Sequence, residues 1–188
     1  MKILLVQTGQ TTWQVDSRIE SPAGAPLTEE GTRAAQRIAE ELTNAGIRAV
    51  YASSGEAEQQ TAAVLAKHLH VKVHTDEELC ELDYGLWQGL TLDEIRHRQP
   101  KLYKQWTDDP TSTCPPGGET VQDVHHRLRE RIKALAKKPK NTPAVLVLRP
   151  TSMGLLRCLL AGDELGQLWR HVDPSFTWAV SEIDPQAL

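Results

Sequence analysis

Hydrophobic and polar positions along the chain alternate between a strand-like and a helix-like period. Residues 2 to 8 read as a strand, with Leu4, Leu5 and Val6 as a buried run that Gly9 breaks where a tight turn is needed. Ser21, Pro22, Gly24 and Pro26 make a loop, and Thr28-Glu29-Glu30 reads as a helix start with an N-cap and an acidic first turn. Ala35, Ile38, Ala39, Leu42 and Ala45 recur at helical spacing, and Gly46 ends that helix. Ala49 to Ala52 reads as a second strand. Ala57 to Leu69 reads as a second helix with Ala62, Leu65 and Ala66 turned inward, and Val71 and Val73 alternate with polar residues as a third strand does.

A long polar middle carries helical pieces near Leu92 to Arg98 and Lys101 to Thr107. After the loop Pro115-Pro116-Gly117-Gly118, an acid-rich helix start at Glu119 leads into Val121, Val124, Leu128, Ile132 and Leu135 on one face. Lys137 to Lys140 forms a basic close suited to the negative end of a helix dipole. Val145 to Leu148 is the most strand-like run. It passes through Arg149-Pro150-Thr151-Ser152 into an apolar helix, Leu155 to Leu160, before a last strand near Thr177 to Ile183. This alternation predicts an α/β fold, a three-layer α/β/α sandwich around a mostly parallel sheet. With no internal repeat and no linker, residues 1–188 read as a single domain.

Composition narrows the class of partner. The net charge of −4 supplies no basic field for nucleic acid. No apolar run approaches the roughly 20 residues that span a bilayer, and Met1 to Val6 is too short and too weakly basic for a secretory signal. Cys80, Cys114 and Cys158 make neither a disulfide framework nor a metal knuckle, so a reducing, cytoplasmic setting is expected. His68, His70 and His74 span a helix end and a strand without completing a ligand set, so no metal is expected.

Six segments in order resemble the histidine phosphatase superfamily, in particular its phosphoglycerate-mutase-like branch. KILLVQTGQTTW resembles the opening strand and Arg-His-Gly-Glu-Thr loop, and PLTEEGTRAAQRIAEEL resembles the first helix. YASSGEAEQQTAAVLA resembles the Ser-Ser-x-x-x-Arg-Ala-x-Gln-Thr-Ala segment, and CELDYGLWQGLTLDEI resembles Glu-x-x-x-Gly-x-Trp-Glu-Gly-x-Thr. PPGGETVQDVHHRL and VLVLRPTSMGLLRCLL resemble the segments before the long helix and around the second histidine. The resemblance implies the phosphoglycerate-mutase-like fold. It also implies a chemistry in which a histidine attacks phosphorus, two arginines and a second histidine hold the phosphoryl oxygens, and a carboxyl group protonates the leaving oxygen.

Measured against that pattern, the chain departs at nearly every reacting position. Gln7 stands for the first arginine, Thr8 for the nucleophilic histidine, Gln10 for the acid after the glycine and Ala57 for the second arginine. Pro150 or Ser152 stands for the second histidine, depending on the direction of counting; Glu81 alone matches, as the proton donor. Hydrogen bonds to charged groups contribute roughly 1.5–3 kcal/mol each, and a threonine needs a neighbouring base before it attacks. The expectation is therefore a catalytically inactive member of the fold with a binding, regulatory or scaffolding role. It would hold an unknown protein partner or a small neutral ligand, without cofactor or metal; dimers among family members leave a homodimer open.

The alternative is a divergent active phosphatase or hydrolase using Glu81 and a non-histidine nucleophile. It requires a substrate-shaped pocket with Glu81 on its wall and Arg149 or Arg18 turned inward. Gln7, Thr8, Arg18, Glu81 and Arg149 are the candidate ligand-binding residues. The blander readings make Thr8 a turn hydroxyl bonded to backbone, Arg149 a salt bridge on the sheet edge, Glu81 a surface or capping carboxylate and Arg18 a solvated loop residue.

Overall fold

The computed structural model describes residues 1–137 and 143–183; the basic residues expected to close the long helix at 138–140 lie outside them. Five strands form one sheet: β1 (Lys2–Gln7), β2 (Ala49–Ala52), β3 (Lys72–Thr75), β4 (Ala144–Leu148) and β5 (Trp178–Glu182). Around them run α1 (Thr12–Val15), α2 (Glu29–Glu41), α3 (Glu56–Leu69), α4 (Leu92–Arg98), α5 (Pro100–Asp108), α6 (Val121–Ala136), α7 (Pro150–Ala161) and α8 (Leu168–His171). The strand order is β3-β2-β4-β1-β5. The first four are mutually parallel, and β5 closes the β1 edge antiparallel, with Leu4 opposite Val180. The expected α/β sandwich with a mostly parallel sheet is what the chain forms.

The apolar runs of β1 and β4 explain their central place, because a strand buried on both faces has no polar side to present. Ile3 and Leu5, with Leu146 and Leu148, face one layer, where Val121, Val124, Leu128 and Ile132 of α6 pack with Met153 and Leu155 of α7. Leu4 and Val6, with Val145 and Val147, face the other, against Ile38 and Leu42 of α2 and Ala62 and Leu65 of α3. Thr28, Thr91 and Thr120 cap α2, α4 and α6 by accepting a backbone N–H three residues on.

The chain after β4 differs from expectation. The helix starts at Pro150 rather than near Leu155, so Thr151 and Ser152 lie in its first turn. Proline suits that position, since its ring presets φ and its missing N–H has no intrahelical acceptor there. The parallel pairing of Gln7 with Leu148 brings the carboxyl ends of β1 and β4 side by side. Thr8 N–H donates to Leu148 O at 3.0 Å. Polar side chains at the ends of both strands are thereby gathered at one rim of the sheet, where open α/β sheets bind their ligands.

The loop leaving β1 is wedged against the start of α2. A Cβ built on Gly31 would lie 2.2 Å from Gln10 O, and one on Gly9 would lie 2.3 Å from Gly31 O. Backbone cannot yield as a side-chain tip does, so Gly31→Ala should destabilise the chain by about 2–4 kcal/mol. Urea unfolding checks this; an unchanged midpoint would show that the loop does not press on α2.

Candidate active site

Arg149 is the first residue beyond β4. Its guanidinium is 1% exposed and is met on three sides. Nε donates to Glu58 Oε1 at 2.8 Å, and Nη1 donates to Glu20 Oε2 at 3.4 Å and to Ser21 O at 2.7 Å. Nη2 donates to Pro22 O at 2.8 Å. Each carboxylate has a further donor: Ser53 Oγ–H on Glu58 Oε1 at 2.9 Å and Thr11 Oγ1–H on Glu20 Oε1 at 2.7 Å. The salt bridge expected on the sheet edge is therefore found at the end of a central strand, deep in the rim. It is central because β4 lies between β2 and β1.

The charges in this cluster act on one another. Burial pulls the Arg149 guanidinium down, but the carboxylates of Glu58, Glu81 and Glu20 outweigh it and hold it above its ordinary value. Burial pushes Glu20 up, an effect that the Thr11 hydroxyl and Arg149 only partly offset and that the charges of Glu58 and Glu81 reinforce.

Glu81 is clamped from the neighbouring helix. Thr151 N–H donates to its Oε2 at 2.9 Å, and Ser152 N–H donates to its Oε1 at 2.9 Å. Oε1 also accepts Leu82 N–H at 2.7 Å and lies 3.0 Å from Ser152 Oγ, whose single proton is shared with Cys80 O at 2.8 Å. The carboxylate thus sits on the positive end of α7, where free N–H groups and the helix dipole favour an anion. It is a capping carboxylate and a cleft-wall residue at once. Arg127, bidentate to Glu119, also donates from Nη2 to Glu81 O at 3.3 Å, holding the backbone of this segment.

Two adjoining clefts open at this rim. A cleft of ≈ 140 Å³ has Glu81, Glu20, Tyr84, Arg149 and Thr151 on its walls. A larger one of ≈ 620 Å³ is floored by Gln7, Thr8 and Gly9. They share Gln14, Arg18, Ile19 and Pro150. All the candidate ligand-binding residues line one cleft or the other. Pro150 lines both, whereas Ser152 is fully buried against Glu81, and Ala57 is buried in α3. None of the seven histidines lines either cleft.

Candidate nucleophiles are few. The Thr8 hydroxyl is covered and has no hydrogen-bond partner, contrary to the turn-hydroxyl expectation, and no base stands beside it to take its proton. Cys80, next to Glu81 in sequence, is pushed up to about 11 by burial and then by its hydrogen bond to Glu77, so it stays a thiol at neutral pH. Burial, reinforced by the charge of Glu81, raises the Tyr84 phenol despite its hydrogen bond with Thr151. Among the described residues no group of three or more His, Cys, Asp or Glu is placed to hold a metal ion.

The histidine phosphatase superfamily (branch 1) model matches residues 3–187. The chain belongs to this superfamily. Phosphoserine phosphatase 1 of Hydrogenobacter thermophilus is 25% identical over 184 residues, 98% of this chain and 87% of that one. The bifunctional protein Rv2228c of Mycobacterium tuberculosis is 33% identical over 174 residues, covering 92% of this chain, which spans about half (48%) of that relative. The solved mycobacterial glucosyl-3-phosphoglycerate phosphatase Rv2419c, in complex with VO3, superposes with a TM-score of 0.84 at 26% identity, over 95% of this chain and 90% of that one.

These findings overturn the expectation of a catalytically inactive binding or scaffolding protein. Two of these superfamily relatives carry an activity in their names, and both are phosphatases. Counting motif positions also misjudged the rim. Arg149 brings a guanidinium to it from β4, and Glu81 is built into the same wall rather than standing among neutral residues.

Glu58, Glu20, Gln14 and Arg127 went unnoticed in the sequence. Glu58 lies beside the degenerate Ala57 and carries the one signal available, an acid in a segment where the family has an arginine. His171, in the segment before β5, pairs with Asp163 at 2.9 Å.

Removing one partner of a buried ion pair leaves the other charge uncompensated. Arg149→Met should cost about 3–5 kcal/mol, and the double variant Arg149→Met/Glu58→Leu should recover most of that loss. Denaturant titrations of both variants measure the difference. A double variant as unstable as the single one would show that Arg149 answers to Glu20 and the loop carbonyls rather than to Glu58.

Proposed function

We propose that the chain is an active, divergent hydrolase of its superfamily that cleaves an ester by direct attack of water, with Glu81 as the general base. The observation that carries this reading is the state of the Glu81 carboxylate on the cleft wall. Oε1 receives the Leu82 and Ser152 N–H groups and shares the Ser152 hydroxyl proton with Cys80 O, whereas Oε2 receives only Thr151 N–H among the described residues. A carboxylate oxygen has two lone-pair directions, so Oε2 keeps one for a water in the cleft. The α7 clamp fixes where that water stands, and positioning of this kind carries much of a catalytic effect.

Water is the attacking group because the side chains at the rim are unsuited to attack. The Thr8 oxygen is covered and without a base, the Cys80 thiol is held protonated, and histidine is absent from the cleft. Arg18 at the mouth supplies positive potential where negative charge builds on the reacting group, whereas the charge of Arg149 is spent on Glu58 and Glu20. The phosphatase names of the relatives support an ester of phosphate as the substrate. A single domain over residues 1–188 and a reducing compartment, suited to three unpaired cysteines, go with this reading.

Shortening the base tests the proposal. Glu81→Asp, which withdraws the carboxylate by one methylene, should lower kcat by roughly 10²–10⁴-fold with little change in KM. Melting temperatures of the variant and the parent separate this loss from unfolding. A folded Glu81→Asp enzyme with the parent's kcat would rule Glu81 out as the base.

A further inference from the structure

We propose that the rim is built for an ester bearing a single negative charge, a phosphodiester, rather than for the dianion of a phosphomonoester. The inference rests on the hydrolase reading above and adds its substrate class.

Three side chains along the larger cleft present donors with no hydrogen-bond acceptor among the described residues. Gln10 Oε1 accepts Thr28 Oγ1–H at 3.2 Å, and Gln14 Oε1 accepts Thr11 N–H at 3.1 Å inside the cap of α1. With each amide oxygen pinned, each NH2 group is left for a ligand. Arg18 commits Nη1 to Gly89 O at 2.6 Å, with Glu94 Oε2 4.0 Å from the same nitrogen, and its Nε and Nη2 have no hydrogen-bond partner among the described residues. Its backbone is fixed from two directions: Arg18 N donates to Trp13 O at 2.9 Å, and Arg18 bridges Thr91.

The donor set therefore sums to two neutral amides and one cation. Among the described residues, Arg18 is the sole ionisable one lining the larger cleft. In the adjoining cleft Arg149 is already outnumbered by Glu58, Glu20 and Glu81. A monoester is close to a dianion at neutral pH, and its second charge would face these carboxylates with no free cation to answer it. A diester carries one charge, which Arg18 meets through its free Nε and Nη2 on the side away from the solvent-screened Glu94, and its other oxygens accept from neutral amide N–H groups. Gln7 and Thr8, both more than nine-tenths buried at the floor of the same cleft, each keep an oxygen without a partner, so the floor too is polar and uncharged.

In the reaction, the water oxygen bonds to phosphorus as the bond from phosphorus to one ester oxygen breaks. One proton of the water passes to Glu81 Oε2 and is later released to solvent, and the departing oxygen, on the opposite side of phosphorus, takes a proton from solvent, leaving a phosphomonoester and an alcohol.

The test is turnover of bis(p-nitrophenyl) phosphate and of p-nitrophenyl phosphate by the full chain, alongside thermal shifts with dimethyl phosphate and inorganic phosphate. The diester should be preferred by at least about tenfold in kcat/KM. Arg18→Gln and Gln10→Ala should each erode that rate mainly through KM, with unchanged melting temperatures. Preference for the monoester, or a diester rate indifferent to both variants, overturns the substrate class and leaves the hydrolase reading standing. If neither ester turns over, the hydrolase reading fails and binding decides the class. Stabilisation by dimethyl phosphate that Arg18→Gln abolishes upholds the singly charged site, and stabilisation by inorganic phosphate alone, or by neither, overturns it.

Discussion

A guanidinium withdrawn from water must be met by carboxylates and carbonyls, and the meeting of Arg149 with Glu58, Glu20, Ser21 O and Pro22 O organises the rim of this protein. The contacts tie the end of β4 to the first turn of α3 and to the loop that follows Arg18. They fix the loop geometry of the smaller cleft, and they also fix its charge. A single cation surrounded by several carboxylates is a poor receptor for a doubly charged anion, whatever the ancestry of the fold.

A second clamp sits one turn along. The N–H groups that open α7 would lack partners in any helix, and here Thr151 and Ser152 direct theirs at Glu81. Capping a helix and holding a base are thus served by the same two hydrogen bonds. The dual role explains why a carboxylate can be nearly buried and still belong to a cleft wall. In the proposed reaction it gives a rim without histidine a preorganised base and a fixed place for the attacking water.

The architecture was legible in the sequence because local signals and burial agree. The apolar runs at Leu4 to Val6 and Val145 to Leu148 admit only a buried strand, and Val121, Val124, Leu128 and Ile132 only a helix face. The site was legible in position but not in content. Motif order pointed to Gln7, Thr8, Glu81 and Arg149, all of which come to the rim. Motif order says nothing of Glu58 or Glu20, whose importance arises only when folding sets them against Arg149, 91 and 129 residues away along the chain. The sequence also misled over where α7 begins: the apolar run suggested Leu155, whereas Pro150 is the first helical residue.

The account holds that no side chain of the protein becomes bonded to the substrate. Intact-protein mass measured on acid-quenched steady-state mixtures with an activated phosphodiester tests this most directly. The expected result is continuous product release with the protein at its unmodified mass throughout. A mass increase of one phosphoryl group with its remaining ester substituent, mapping to Thr8 or to any other residue of the cleft, would contradict it.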